Sequence, residues 1–416
     1  VRLYIHKNST NYKEYATRLL DKLLVKWLVD DPGLADAVLV SMCDIGEIGD
    51  IAKAKAHGRP VIAGGMISEY PVVNELADYV WHGEVYGFRD CLQSGLALDD
   101  MPGMTCRGSR RLVIDQRIRW ADNPIVRVGG RAMYYYASKG CPVRCKYCLI
   151  GNIRDYQIVP RRLYNRALKT CGKALMPIAA YNPYGVPDQA NIGETLLRKY
   201  IAGDVARGAK MIRSGVEFVT PGLSAGLAKG VTLDDVNEAL ARSARERTKM
   251  ILYFIAGLES QEQLEDYLSG IAIDYNTTPA VSLVFTYIDP QPFTPFHDFD
   301  LRRKITGIDT KRLYAVASQR NKRIRVLPLA GPQKSTIRTL LGRVTTVDEY
   351  RLVWRMRNKS YEDIMAACGL ECPHLLGSAA VEEIVARPRA RIVPEYWGAA
   401  EYIGGPGDDV IGEAAA

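Results

Sequence analysis

The sequence predicts an α/β protein in three parts. An N-terminal Rossmann-like, doubly wound parallel sheet comes first, then a partial or full TIM-like β/α barrel, then a helical C-terminal region. Three observations predict this. Short apolar strand-like runs alternate with helix-like pieces over the first hundred residues. The alternation resumes after a polar connector and continues for about 200 residues. The stretch beyond Ser360 then reads as helix and tail. The corresponding boundaries are 1–105, 106–130 (connector), 131–330 and 331–416.

The elements follow in order. "NYKEYATRLLDKLLVKWL" has helical spacing, with Leu19, Leu20, Leu23 and Trp27 near one face. "ADAVLVSM" is a buried strand, "EIGDIAKAKAHG" a helix ending at Gly58, and "RPVIAGG" and "ADYVWHG" are further strands. Strands alternating with helices imply a parallel sheet covered on both faces. Ligands of such sheets bind at the carboxyl ends of the strands, here at Gly64–Met66 and His82–Glu84. Pro102 and Pro124 punctuate the connector, after which "AMYYYASKG" is a strand running into a cysteine-rich loop. Later strands are "LMPIAAYN", "VEFVT", "MILYFIAG", "AVSLVFTYI" and "RIRVLPLA". Between them "TLDDVNEALARSARERTK" starts a helix at Thr232, an N-cap followed by acidic residues. Barrel chemistry sits at the C-terminal strand ends, which is where the cysteine loop falls. "YEDIMAACGL" is a C-terminal helix, and the last dozen residues are expected to be mobile.

Composition bounds the function. The chain has 416 residues, 47% hydrophobic and 25% charged, which fits a folded protein of two or three domains. No apolar run is long enough for a membrane span, and "VRLYIHKNSTNYKEY" lacks a signal-peptide core, so a cytoplasmic setting with no membrane partner is expected. Nine unevenly spaced cysteines do not make a disulfide scaffold. The net charge of +8 is concentrated: residues 301–360 carry 16 Lys and Arg against Asp309, Asp348 and Glu349. Such a segment suits either phosphate contacts or a solvated helical surface.

The loop "GCPVRCKYCLI" places Cys141, Cys145 and Cys148 within eight residues, with no fourth cysteine nearby. Three thiolates leave one iron of a four-iron cube without a protein ligand, and an open coordination position is where a metal centre does chemistry. Pro142 stiffens the loop, and Arg144 and Lys146 are expected to offset an anionic cluster. A zinc site, a buried thiol group and a structural cluster completed by Cys171 are the competing readings.

"CPVRCKYC" resembles the CxxxCxxC signature of the radical S-adenosylmethionine superfamily, with Tyr147 at its usual aromatic position. The resemblance implies that Cys141, Cys145 and Cys148 bind three irons of a [4Fe–4S] cluster. The fourth iron would chelate S-adenosylmethionine, whose reductive cleavage gives a 5′-deoxyadenosyl radical. An electron donor such as flavodoxin or ferredoxin is implied as a partner. "FIAGLES" resembles the family's adenine-side region and so points to Ile255, Gly257 and Glu259, a stretch that also reads as a buried strand with a turn. Glu217 in "RSGVEFVTPG" is implied near the cofactor, and is equally an ordinary strand-end carboxylate. The family's Gly-Gly-Glu-like motif is replaced by "AAYNPYG", which leaves Asn182 or Tyr184 to contact the cofactor's amino group.

The first hundred residues resemble the cobalamin-binding-type domain of one branch of the superfamily. The D-x-H-x-x-G histidine motif of that domain is absent; His57 and His82 lie outside it, so bound cobalamin stays open. Cys43, Cys91 and Cys106 are the N-terminal candidates for a second cluster, and Cys368 and Cys372 for a metal half-site. The resulting expectation is a radical enzyme modifying an unactivated carbon by rearrangement or C-methylation. Its expected substrate is a nucleic-acid base or modified nucleotide, in tRNA or hypermodified phage DNA, held by the 301–360 segment. A peptide or natural-product methyltransferase is one alternative. A non-catalytic nucleic-acid-binding protein with a structural metal is the other.

Overall fold

The structure is a computed structural model that describes residues 1–7, 11–106, 113–127, 133–178, 196–203, 210–227, 230–272, 280–303, 308–320, 323–328, 331–387 and 401–403. The first unit runs β1 (Leu3–Ile5), α1 (Asn11–Leu23), β2 (Ala37–Met42), α2 (Gly49–Lys55), β3 (Val61–Gly65), α3 (Pro71–Leu76), β4 (Tyr79–Trp81), α4 (Val85–Gln93) and β5 (Met104–Cys106). The strands lie side by side in chain order, β1 to β4 parallel and β5 antiparallel at the edge. Alternate side chains of β2 point to opposite faces: Val38, Val40 and Met42 pack with α2 and α3, while Ala37 and Leu39 pack with α1 and α4. The covered parallel sheet is therefore as expected. The doubly wound strand order is not: each connection steps to the next strand in one direction, so no reversal of order creates a crevice within the sheet.

The connector contributes β6 (Val113–Asp115) and β7 (Val126–Arg127). Then come β8 (Met133–Tyr136), β9 (Ser138–Lys139), α5 (Leu149–Ile153), β10 (Gln157–Ile158), α6 (Arg161–Cys171) and β11 (Leu175–Ile178). The second half continues with α7 (Leu197–Ala202), β12 (Met211–Glu217), α8 (Pro221–Leu227), α9 (Leu233–Glu246), β13 (Lys249–Ala256), α10 (Gln261–Ser269), β14 (Val281–Tyr287), α11 (Thr310–Arg320) and β15 (Ile324–Pro328). Thr232 caps α9 in a reciprocal capping box with Asp235. β8 pairs in parallel with β11, and β12 to β15 form a four-stranded parallel sheet in chain order. The expected barrel is not closed: among the described residues no pairing joins β11 to β12, and residues 179–195 between them lie outside the description.

The C-terminal region is α12 (Pro332–Arg343), α13 (Val347–Met356), α14 (Tyr361–Glu371) and α15 (Val381–Ala386), followed by β16 (Glu401–Ile403). β16 pairs in parallel with β6, so part of the tail is a strand docked on the connector. The terminal residues 404–416, expected to be mobile, lie outside the description. One apolar core joins α2, α3, the helix after the cysteines (Leu149, Ile153), Ile255 at the end of β13 and the C-terminal helices. That shared core fixes the cysteine loop against the first sheet. No helix among the described residues is long and apolar enough to cross a membrane.

Candidate active site

The cysteine loop leaves β9 at Gly140, whose φ is +66° and whose missing Cβ makes room for the Asp155 carbonyl oxygen. A side chain there would be strained in φ and would strike the backbone, so glycine is required. Gly151, within α5, makes room for the loop itself: a Cβ would lie 2.9 Å from the Arg144 Cα. The Cys148 amide donates to the Cys145 carbonyl at 3.0 Å. The buried Asn152 amide donates to the carbonyls of Cys145 (2.9 Å) and Cys148 (2.7 Å). One side chain thus holds the backbone at two of the three cysteines.

The structure brings several expected site residues to this loop. The Tyr147 ring packs edge-on against Phe218 with 5.9 Å between centroids. Burial pushes the Tyr147 phenol well above its ordinary range, and Glu217 with the thiols of Cys145 and Cys148 adds to the push. Glu217 ends β12 at a register shift, with φ at +72°. A non-glycine residue in that region stores backbone strain of about 1–3 kcal/mol, which surrounding contacts must hold in place. Ile255 is buried in the core that carries Leu149 and Phe218, and Gly257 turns the chain just after β13 with φ at +106°. Asn182 and Tyr184 lie outside the described residues.

Two of the expected site residues, Lys146 and Glu259, bind other parts of the chain. Lys146 reaches the C-terminal helices. Its buried ammonium donates to the Ile384 (3.3 Å) and Val385 (2.5 Å) carbonyls at the end of α15, where a cation satisfies unpaired helix carbonyls. Glu259, expected at the cofactor, is 1% exposed and gives its carboxylate to the chain. It accepts the Val219 amide at 2.9 and 3.0 Å and the Thr220 amide at 2.5 Å. Burial pushes its carboxyl up while those amides pull it back, and burial prevails. Glu259 therefore ties the end of β13 to the segment leaving β12, and so positions Glu217.

A cavity of about 250 Å³ lies between the loop and the carboxyl ends of β2, β3 and β4. Gly64, Gly65, Met66, Gly83 and Glu84 line it, at the strand ends where a ligand was expected, with Lys139, Gly140 and Arg154 opposite. Side chains invisible to motif reading bind its two sides together. Lys139 donates to Glu84, and Arg154 approaches Glu69 (3.5 Å) and donates to the Gly65 carbonyl (3.2 Å). The fully buried His82 meets Glu69 through Nδ1 at 2.9 Å and Thr105 through Nε2. Away from the cavity, Arg338 bridges Asp44 (2.7 Å) and Asp289 (2.8 Å), and the Tyr70 hydroxyl donates to Gln291 at 2.7 Å, tying the first sheet to the C-terminal helices and the segment after β14. These residues sit in unrelated stretches, so only buried charge between strand ends would have signalled them.

Fit to the implied cofactors can be tested on these contacts. Three soft thiols on a loop whose backbone is pinned by Gly140 and Asn152 have the donor chemistry of a three-thiolate cluster site. Among the described residues no three His, Cys, Asp or Glu side chains converge on a common metal position, so ligation would draw the three thiols together. A histidine-ligated corrin does not fit. No histidine lines the cavity among the described residues, and both His82 ring nitrogens are engaged. The N-terminal second cluster finds no such grouping either; burial, reinforced by Glu47, pushes the Cys43 thiol up to about 11. Cys368 is buried packing in the shared core, its thiol pushed up to about 11 by that burial.

Part of the basic segment is paired within the protein. Arg302 pairs with Asp300, Arg312 with Glu265, Arg338 with Asp44 and Asp289, and Arg351 with Asp348. Arg343 donates to the Leu375 and Phe299 carbonyls. Lys304 and Lys322 lie outside the described residues.

No family model matches the chain, and no curated protein matches it. Two similar solved structures are of the cobalamin-dependent S-adenosylmethionine radical enzyme OxsB, one with aqua-cobalamin and S-adenosylmethionine bound and one with aqua-cobalamin bound. Each aligns at TM-score 0.46 and 13% identity over 67% of this chain and 52% of that chain. The chain thus spans about half the length of that protein, and a likeness at this level carries no argument about activity.

Proposed function

We propose that this chain is a radical S-adenosylmethionine enzyme that modifies an unactivated carbon of a compact substrate. The observation that carries the reading is the pinned three-cysteine loop that leaves the short strand β9, its flanking residues Lys139, Gly140 and Ile150 lining a cavity shared with the strand ends of the first sheet. When bound, the [4Fe–4S] cluster and S-adenosylmethionine supply one-electron cleavage of the sulfonium and a 5′-deoxyadenosyl radical that takes hydrogen from the substrate. Cys141, Cys145 and Cys148 would hold the cluster, and Asn152 would keep their loop from opening. Tyr147, with Phe218 behind it, would shield one side of the cluster from water. Glu217, pre-set by Glu259, would accept a hydrogen bond from the cofactor's polar end, and Ile255 and Gly257 would lie against its adenine. A flavodoxin or ferredoxin would deliver the electron.

A nucleic-acid substrate is the weaker reading, because some of the cations meant to hold phosphates, Arg302, Arg312 and Arg338, are paired within the chain. The proposed modification is rearrangement or C-methylation of the substrate carbon, and no step is routed through cobalamin. The test is anaerobic reconstitution with iron and sulfide, followed by S-adenosylmethionine and dithionite. The expected result is 5′-deoxyadenosine. A protein that takes up four irons, is reduced, and yields none would overturn the proposal.

A further inference from the structure

The cavity beside the cysteine loop is lined by two cations, Lys139 and Arg154, and one carboxylate, Glu84. Each cation is paired, and in each pair it is the more exposed partner: Lys139 keeps 28% of its side-chain exposure and Glu84 only 5%; Arg154 keeps 11% and Glu69 only 1%. Glu69 lies outside the lining, so the cations outnumber the carboxylates at the cavity wall. Between them the wall is apolar, with Leu39, Ile62, Phe88, Ile150 and Ile178. The Lys139 ammonium also lies 5.3 Å from the Tyr136 ring centroid, which helps hold it at the rim. At about 250 Å³ the space falls just below the range of roughly 300–1,000 Å³ usual for ligand sites, so only a small molecule fills it.

We propose that this cavity binds a compact, mainly apolar molecule with one anionic head group, carboxylate or phosphate. The head sits at Lys139 and Arg154, and the hydrocarbon body runs along Leu39, Ile62 and Ile178. That this molecule is also the enzyme's substrate rests on the function proposed above. A nearby anion shares the two cations with Glu84 and Glu69, and the apolar wall strengthens that attraction by excluding water. A cationic ligand would meet the same two cations and be repelled. Lys139 directly precedes Gly140 and Cys141, so a molecule anchored there lies alongside the loop.

The test is calorimetric titration of the full chain with hexanoate, hexyl phosphate, 1-hexanol and hexylamine, which needs neither cluster nor S-adenosylmethionine. Failure of the radical reading therefore leaves this outcome readable. At least one anion is expected to bind about tenfold tighter than hexanol or hexylamine, the size of one charge-assisted contact, and the tighter anion identifies the head group. In the double variant Lys139→Met/Glu84→Gln, which leaves no unpaired carboxylate, that advantage is expected to vanish while hexanol still binds, which also shows that the fold is intact. Equal affinity for all four probes, tightest binding of hexylamine, no binding of any, or stoichiometric cobalamin that displaces hexanoate would each overturn the proposal.

Discussion

Replacing Cys141, Cys145 or Cys148 singly by alanine is expected to reduce 5′-deoxyadenosine formation to background. The loss should exceed about a hundredfold, because even residues that only support metal ligands cost 10–100-fold when removed. Cys171→Ala is the decisive control. Cys171 is the nearest cysteine that could complete a four-thiolate set, yet it ends α6 and packs beside the small core of Tyr135, Val159 and Tyr164. If three thiolates and an open iron are the working arrangement, Cys171→Ala keeps its iron and its activity. If Cys171→Ala loses iron as the loop variants do, the cluster is structural and fully ligated by protein. Iron content and product are measured on the same samples, so a variant that merely misfolds is recognised by circular dichroism.

Glu259→Ala is expected to be the most destabilising single change near the site. It leaves the half-buried amides of Val219 and Thr220 without their acceptor, and an unsatisfied donor costs up to about 1–3 kcal/mol when fully buried. A urea midpoint shift equivalent to about 1–3 kcal/mol is therefore expected, and less for Glu259→Gln, whose remaining oxygen can keep part of the set. The pH dependence has a definite sign. Burial holds the folded Glu259 carboxyl above its ordinary value. Between the ordinary value and the raised one, the folded protein keeps a proton that the unfolded chain has lost. The contribution of Glu259 to stability is therefore greatest below that window and falls as pH rises through it. Glu259→Gln should flatten this part of the stability profile. A variant as stable as wild type, with an unchanged slope, would show that the carboxylate does not hold the end of β12 in place.

Much of the architecture was legible because it rests on local pattern. Val38, Val40 and Met42 alternate with Ala37 and Leu39, and Thr232 with Asp235 announces a helix start. Gly140 before Cys141 marks the turn that opens the loop. Strand order is different, because it depends on which edges meet in space. The sequential sheet and the unclosed barrel could not be read from alternation alone. Site chemistry divides in the same way. Cys141, Cys145 and Cys148 are close in sequence, so spacing identified them. Lys146 was named for its place in the cysteine loop and Glu259 for the resemblance of its stretch, while the partners they bind, the carbonyls of α15 and the amides after β12, lie far along the chain. His82 was placed at a strand end, but its partner Glu69 and the neighbouring Arg154 were missed, because a buried charge network leaves no local motif.

The open iron is the centre of the account, and electron paramagnetic resonance reads it most directly. The reconstituted, dithionite-reduced protein should hold about four irons per chain on three cysteines, and its spectrum should change when S-adenosylmethionine is added, because that molecule takes the vacant coordination position. A four-iron cluster whose spectrum S-adenosylmethionine leaves unchanged would contradict the account.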